Sequence, residues 1–351
     1  MSTVSVVVVS PTRFAQVRRT VARLRAQDDV ADVQLVLVAP EEASLDDARD
    51  GELDGFGDVR RVGAGPIDNV DLASAHGVRA ADGDVVAFVE DHAFPRPGFT
   101  RALAQRFAVA DAGVVMPTVL NGNPRHALSW CNLLLAYGWW TDPGRAGALE
   151  LCSGHNVAVR RDVLLDLDGS GTGAAGAAAA GGGRLEDRLG RGGTLVDDLF
   201  ASGVGVVLDS HARTEHVNPS TWSSTAMLRT RAGRLYAHQR AEAEGWDSRR
   251  RLVQAVGAPA IPAVRLLRLW QEQLTSWPFA QHKFRLLPTL GAVLLLDAYG
   301  QALGVLRGPG DAVDVLATFE MDRAQHLRRD DVAVLTGRAG DPVLDDARTA
   351  A

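Results

Sequence analysis

The stretch VVAFVEDHAFPRPGF, residues 85–99, decides how the fold is read. Residues 85–89 are five apolar residues with the composition of a strand buried on both faces. They run directly into Glu90, Asp91 and His92, and then into a turn bracketed by Pro95 and Pro97. A buried strand that ends in two acids and an imidazole fits an open parallel sheet. In such sheets ligands bind outside the carboxyl ends of the strands, near the point where strand order reverses.

Outward from this stretch, the first 120 residues alternate strand and helix. Residues 4–9 and 33–38 read as buried strands, and 113–117 as another. Helical spacing marks 14–27, with Val17, Val21 and Leu24 on one face. It also marks 69–81, with Val70, Ala73, Gly77 and Ala81 on one side, and 98–108. This alternation predicts an α/β fold, a mostly parallel Rossmann-like sheet with helices on both faces. The first strand ends in Ser10-Pro11-Thr12-Arg13, the second in Ala39-Pro40-Glu41-Glu42 and the third in Glu90-Asp91-His92. No G-x-G-x-x-G follows the first strand and G-x-x-x-x-G-K-[ST] does not occur, so neither a dinucleotide fingerprint nor a P-loop is supported.

Composition narrows the classes. The 351 residues suit two domains or one large one, and 46% hydrophobic with 23% charged residues suits a globular core. A net charge of −6 argues against a nucleic-acid binder driven by bulk charge. Two cysteines, Cys131 and Cys152, imply no disulfide framework and fit a reducing, cytoplasmic setting. The N-terminal apolar run lacks a basic lead and reads as a strand, not a signal peptide. No uninterrupted apolar run reaches the length of a clear transmembrane span.

Further along, 121–140 is rich in Trp and Asn, and 151–165 reads as a Gly turn, a short strand and a helix start. Residues 169–183 are a Gly/Ala low-complexity stretch expected to be a flexible loop. A helix is expected over 185–202, a strand over 204–208 with His216 eight residues beyond it, and a long Arg-rich helix over 223–251. Residues 261–306 carry Trp270, Trp277, Phe279 and Phe284 among arginines. They read either as a membrane-interface segment or as a helical pair packed on the protein, and Asp297 argues against a plain spanning helix. Residues 310–351 read as an acidic tail.

Four segments in order, VSVVVVSPTR (4–13), HGVRAADGDVVAFVEDH (76–92), GHNVAVRR (154–161) and SGVGVVLDSHARTEH (202–216), resemble the family 2 glycosyltransferases with the GT-A fold. The resemblance covers roughly residues 3–218. It implies a catalytic domain over 1–220, with a nucleotide half to 120 and an acceptor half beyond. A helical, membrane-associating region over 221–310 and the tail over 311–351 would follow. It implies a nucleotide-sugar donor and a divalent metal held where the family has Asp-x-Asp, to neutralise the diphosphate. Here that place reads Glu90-Asp91-His92, and oxygen ligands with an imidazole suit Mn²⁺ better than Mg²⁺ alone. If strand alternation persists, Glu90 and His92 bind metal and Asp91 faces the ribose or sugar; if the chain turns at once, Asp91 becomes the ligand. His216 is the further metal candidate, against a reading of His211 and His216 as surface-loop residues.

The remaining expectations concern the base, the donor lining and the acceptor. The family's usual base falls on Gly192, so the candidates are Glu186-Asp187 and Asp197-Asp198, with Asp187 favoured and Asp198 the alternative. Pro11, Thr12, Arg13, Glu41 and Asp68 would line the nucleotide site. Residues 74–77 lack the family's Arg-Asn. His155 and Asn156 would border the acceptor, and Trp130, Trp139 or Trp140 would stack on it or fill a core. The expected reaction transfers a sugar to a hydroxyl of a glycan, lipid or small molecule, with inversion. A nucleotidyltransferase and a catalytically inactive sugar-binding or scaffold protein are the rivals. The expected place is the cytoplasm, at the inner face of the membrane where the helical region touches lipid.

Overall fold

The computed structural model describes residues 3–109, 112–150, 152–169, 184–189 and 195–349. Nine strands among them form one sheet: β1 (Val4–Val9), β2 (Val33–Ala39), β3 (Asp58–Gly63), β4 (Val85–Phe88), β5 (Ala93–Pro95), β6 (Ala112–Asn121), β7 (Gly147–Ala148), β8 (Ala158–Arg160) and β9 (Gly205–His216). Their order is β3-β2-β1-β4-β8-β6-β9-β5, with β7 beside β9. β1 to β4 are mutually parallel, β6 and β9 are parallel, and β8 runs antiparallel between β4 and β6. This is the α/β sheet that the alternating pattern predicts. The short β3 and β5 were not legible in the pattern, because β3 is a polar edge strand and β5 is three residues long.

Helices cover both faces. Val6 and Val8 of β1 pack with Phe14, Val17, Val21 and Leu24 of α1 (Phe14–Arg25) and with Leu103 and Phe107 of α3 (Phe99–Val109). Each fully buried aliphatic or Phe side chain contributes about 1.5–3 kcal/mol. On the opposite face lies α2 (Val70–Ala80), whose Gly77 is so close to the sheet that a Cβ there would stand 2.4 Å from Val7 Cγ1. A loop acid starts α1: Asp47 accepts from the N–H groups of Phe14 and Ala15 at 2.8 and 3.0 Å. Asn69 caps α2, its Oδ1 accepting from the Asp71 N–H at 2.9 Å.

The strand expected to stop at residue 208 continues to His216. Ser210, His211 and Ala212 bulge out of the ladder between Asp209 and Arg213. Asp209 holds the bulge: its Oδ1 accepts from the N–H groups of His211 and Ala212 at 2.7 and 2.8 Å, and its Oδ2 from Arg106 Nε at 2.7 Å. Burial opposes the charge of Asp209, and these donors outweigh it, so its carboxyl sits below the usual range. Beyond the bulge His216 stands opposite Ala93 of β5 and Asn121 of β6. It is a buried strand residue, not a loop residue. Helices α5 (Arg161–Leu167), α6 (Leu185–Leu189) and α7 (Leu195–Ala201) follow β8. Of the helix expected over 185–202, the described residues form α6 and α7, and 190–194 lie outside them. Most of the low-complexity stretch (170–183) and Gly192 lie outside the described residues.

The chain divides into two compact units, Met1–Gly122 with Pro143–His216 and Ala333–Ala351, and Asn123–Asp142 with Val217–Val332. The units cut across the boundaries expected at 220 and 310. The reason at the chain's end is electrostatic. Asp341 accepts from Arg19 Nε at 2.9 Å and from Arg23 Nε at 2.8 Å, so the segment read as an acidic tail is tied to α1.

The second unit is helical: α4 (Ala127–Tyr137), α8 (Trp222–Ala243), α9 (Ser248–Gly257), α10 (Ile261–Glu272), α11 (Lys283–Arg307) and α12 (Ala312–Phe319), with α13 (Arg329–Leu335) at its margin and α14 (Pro342–Thr349) in the first unit. The helix expected over 223–251 breaks at Gly245, where φ is +59°, and restarts at α9 under the cap of Asp247. α8 and α11 pack backbone to backbone. A Cβ on Gly300 would lie 2.1 Å from the Thr230 carbonyl oxygen, and one on Gly304 2.1 Å from that of Arg234. Gly300 and Gly304 are therefore contact residues, whereas Gly291 has open space around it.

Candidate metal and donor site

The site grows from the end of β4. After Phe88 the chain turns instead of staying extended: the Ala93 N–H donates to the Glu90 carbonyl at 3.0 Å across Asp91 and His92, and this turn, not strand alternation, sets Glu90 and His92 together before β5 begins. The antiparallel pairing of Ala93 with His216 brings the second imidazole alongside. His92 Nε2 and His216 Nε2 are 3.1 Å apart, His216 Nε2 and Glu90 Oε2 3.3 Å, and His92 Nε2 and Glu90 Oε2 3.6 Å. Three atoms able to ligate thus form a small triangle, while His92 and His216 are 1% and 4% exposed.

The triangle fits a divalent cation. Ligands about 2.1 Å from a metal lie about 3.0 Å apart at right angles and about 3.4 Å apart in a tetrahedron. The observed edges, 3.1, 3.3 and 3.6 Å, lie within about 0.2 Å of that range. Two imidazoles and a carboxylate are also a donor set for Mn²⁺ or Zn²⁺ more than for Mg²⁺. Two nitrogens of like kind facing each other in a buried corner favour a shared cation, since only one of them can donate a hydrogen to the other.

Neighbouring groups fix the triangle. Asp91 Oδ1 lies 2.6 Å from His92 Nδ1. A carboxylate only accepts, so the hydrogen sits on Nδ1 and the lone pair of Nε2 points into the triangle. Gln16 Nε2 donates to the other oxygen of Asp91 at 2.8 Å, and Thr12 Oγ1 donates to Gln16 Oε1 at 3.0 Å. The end of β1 is thereby connected to the end of β4. Asn156 grips Glu90 twice, donating from Nδ2 to Oε2 and accepting from the Glu90 N–H at 3.3 Å. It does so from a left-handed backbone, φ +49°, which Asn tolerates better than other non-glycine residues. His155 Nδ1 is 3.2 Å from Asp71 Oδ1 and 3.8 Å from Glu90 Oε1, on the part-exposed side of the cluster. Burial opposes the charge of Glu90, but the imidazoles of His92, His216 and His155 outweigh it and hold its carboxyl well below the usual range.

The other sequence candidates take distinct places. Pro11 is buried, Thr12 and Arg13 are exposed after β1, and the exposed Glu41 caps the turn Glu42–Leu45 after β2. These positions share the carboxyl edge of the parallel strands with Glu90. Asp68 is exposed just before the Asn69 cap of α2. Glu186 is doubly bonded by Arg79, which also binds Asp168, and those guanidinium bonds lower its carboxyl below the ordinary range. Asp198 pairs with Arg188. Asp187 is exposed, accepts from the Arg184 N–H at 3.2 Å, and has no ion pair among the described residues. Trp130, in the second unit, packs edge-on against Phe279 and donates to the Pro124 carbonyl at 2.8 Å. Trp140 is buried and Trp139 is 38% exposed.

Asp71 and Gln16 were not read from the sequence. Asp71 sits in the first turn of a helix, where an acid is expected for helix stability alone, and Gln16 looks like a solvated helix residue. A second histidine-acid group, His126, Asp330 and Asp331, lies in the second unit. There His126 Nε2 is closed onto Asp330 Oδ2 at 2.9 Å, and Arg125 stands 3.7 Å from the same oxygen, so a cation is already present. Burial pushes the Cys131 and Cys152 thiols up to about 12 and about 11, so neither is a ready nucleophile.

No family model matches the sequence, and no curated protein matches it. Among solved structures the chain is similar to GalNAc-T7 in a crystal structure with UDP, GalNAc and Mn²⁺. That likeness has 14% identity and a TM-score of 0.42, and covers 62% of this chain and 43% of that one. It is also similar to the mannosyltransferase PcManGT from Pyrobaculum calidifontis in complex with GDP-Man and Mn²⁺. Here identity is 15% and the TM-score 0.46, with 86% of this chain and 87% of that one covered.

Proposed function

We propose that the protein is a GT-A-type glycosyltransferase that moves a sugar from a nucleoside diphosphate sugar to a hydroxyl acceptor, with inversion and with a divalent cation, Mn²⁺ or Mg²⁺. The observation that carries this reading is the Glu90–His92–His216 triangle just beyond the carboxyl end of a buried parallel strand. The ordered resemblance of the four sequence segments supplies the reaction class.

In this reading Glu90, His92 and His216 hold the cation, which when bound neutralises the donor diphosphate. Asp91 keeps His92 in the ligating tautomer, and Asn156 keeps Glu90 in place. Thr12, Arg13, Glu41 and Asp68 line the donor side with Pro11, and His155 faces the acceptor. Asp187 takes the proton of the attacking hydroxyl. The acceptor oxygen bonds to the anomeric carbon as the bond from that carbon to the diphosphate oxygen breaks, releasing the nucleoside diphosphate. Glu186 and Asp198 are already spent on Arg79 and Arg188, which favours Asp187 over both.

The test is a thermal-shift screen of UDP-, GDP- and dTDP-sugars with Mn²⁺, followed by an assay for released nucleoside diphosphate. A ligand that binds only the folded state raises the apparent melting temperature. One donor should do so in a Mn²⁺-dependent way and be turned over. Binding without turnover with any acceptor class points to an inactive sugar-binding protein. No binding of metal or donor removes the transferase reading.

A further inference from the structure

The helices Ser248–Glu272 carry an apolar stripe turned to solvent. Taken as one continuous helix at about 100° per residue, Leu252, Val253, Val256, Val264 and Leu267 share an arc of about 120°. They are 57%, 61%, 73%, 49% and 58% exposed. The opposite side faces protein. Ala255 packs on the cluster of Ala237, Ala241, Trp246 and Val305, Ala258 is buried, and Arg265 pairs with Asp297. Ile261, Leu266 and Leu269, outside that arc, are half-buried, so the exposed stripe comes in addition to the apolar side that an ordinary surface helix turns inward. At the end of α10, Trp270 meets Phe284 at 6.0 Å, and Lys283 Nζ lies over both rings at 5.3 and 5.4 Å. Phe284 is itself 71% exposed.

Charge says what covers this face. Residues 242–307 hold eight Arg and Lys against five acids, a net of +3 in a chain whose total is −6, and Arg250 and Arg251 are paired with Glu244 and Glu242. One of those acids, Asp297, is buried and paired with Arg265. Two copies meeting through this face would set the same excess of positive charge against itself, whereas anionic lipid headgroups neutralise it. Aromatic rings and Arg or Lys beside an aliphatic stripe are the composition of a helix lying in a bilayer interface.

Spanning is disfavoured by length. The apolar stretch between Arg251 and Arg265 holds 13 residues, about 20 Å of helix against the roughly 30 Å of a hydrocarbon core. Ser248–Glu272 and Lys283–Arg307 both meet the length and composition of a span, but every 18-residue window of the first contains Arg265. Only 11% of the first is buried, against 44% of the second, so the first is the one left without protein cover.

We propose that the face of Leu252, Val253, Val256, Val264, Leu267 and Phe284 docks in the interface of an anionic bilayer. The inference stands apart from the glycosyltransferase reading and its test has no activity readout. The full chain is sedimented with vesicles of phosphatidylcholine alone and of an equimolar mixture with phosphatidylglycerol, at low and high salt. Binding to the anionic vesicles should exceed binding to the neutral ones by at least about tenfold and weaken with salt. Leu267→Asp and Val256→Asp should each cut it by about tenfold or more. Both positions are exposed, so their melting temperatures should match the parent, and Arg268→Glu provides a variant with the apolar face intact. Three results overturn the proposal: no sedimentation with the anionic vesicles, equal binding to both vesicle types, or binding unchanged in Leu267→Asp and Val256→Asp. A parent that light scattering shows to be a dimer, made monomeric by Leu267→Asp, assigns the face to a second copy instead.

Discussion

His92 and His216 are 1% and 4% exposed, whereas Val256 and Leu267 are 73% and 58% exposed. The first region buries polar groups that water would solvate well, and the second exposes carbon that a core would take up. Both run against the usual distribution, in which titratable side chains stay outside and aliphatic ones go inside. The difference lies in what offsets the cost. Around Glu90 it is offset within the protein, by the bonds of Asp91, Asn156 and Gln16, so the corner is rigid and preorganised. Along α9 and α10 nothing within the helices offsets it, and the gain comes from outside the chain.

Removing a ligand should break the first region most severely. Glu90→Ala or His216→Ala should abolish tight Mn²⁺ binding and cut nucleoside diphosphate release by about 10³-fold, since a bound cation supplies several kcal/mol to such a leaving group. Calorimetric titration with Mn²⁺ and a product assay measure the two effects separately.

A stability effect of about 3 kcal/mol is expected from Asp341→Asn, which strips a carboxylate from Arg23, itself 1% exposed. Burial opposes the Asp341 charge, and the bonds from Arg23 and Arg19 outweigh it, so its carboxyl is held below the ordinary aspartate value. Its stabilisation is therefore fully present above about pH 4, and it is lost as pH falls through the lowered folded value. Urea melts from pH 7 down to pH 3 should show the parent losing this contribution at the acid end. Asp341→Asn should be weaker throughout and less pH-sensitive there.

Asp91→Asn should be milder than loss of a ligand. The amide can still accept from His92 Nδ1 but carries no charge, and loss of such a supporting partner costs about 10–100-fold in metal affinity. A drop as large as that of Glu90→Ala would mean that Asp91 itself ligates, which would redraw the triangle. The smallest effect belongs to the second region. Leu252→Ser or Val253→Ser should change the unfolding free energy by no more than about 0.5 kcal/mol, because the side chains already face outward. A loss of 2 kcal/mol or more would show that they are core residues after all.

Much of this contrast was legible in the chain. The alternation of buried strands and helices fixed the class of sheet, helped by Pro11 and Pro40 at the ends of the first two strands. Glu90 and His92 stood out as polar residues directly after an apolar run. His216 was harder: it lies 124 residues from His92, and a three-residue bulge hides that the strand continues to it. Asp71 and Gln16 were illegible because helix-stability arguments fully account for an acid and an amide in those turns. The glycines of α11 looked like interruptions of an apolar run. Only the 2.1 Å approach to α8 shows that Gly300 and Gly304 are what the packing requires.

The bond between Arg23 and Asp341 spans 318 residues, and Arg23 Nη2 also holds Glu215, the neighbour of His216, at 3.1 Å. At a synthesis rate of about 5–20 residues per second, the carboxylate leaves the ribosome about 16–64 s after the arginine that needs it. Until then α1 carries a guanidinium with only Glu215 of these two carboxylate partners, so its final docking waits for Asp341. The strand end bearing His216 waits with it. A nascent chain that already contains every candidate ligand would therefore still be loose around them, and the corner that meets the donor would be among the last parts of the protein to set.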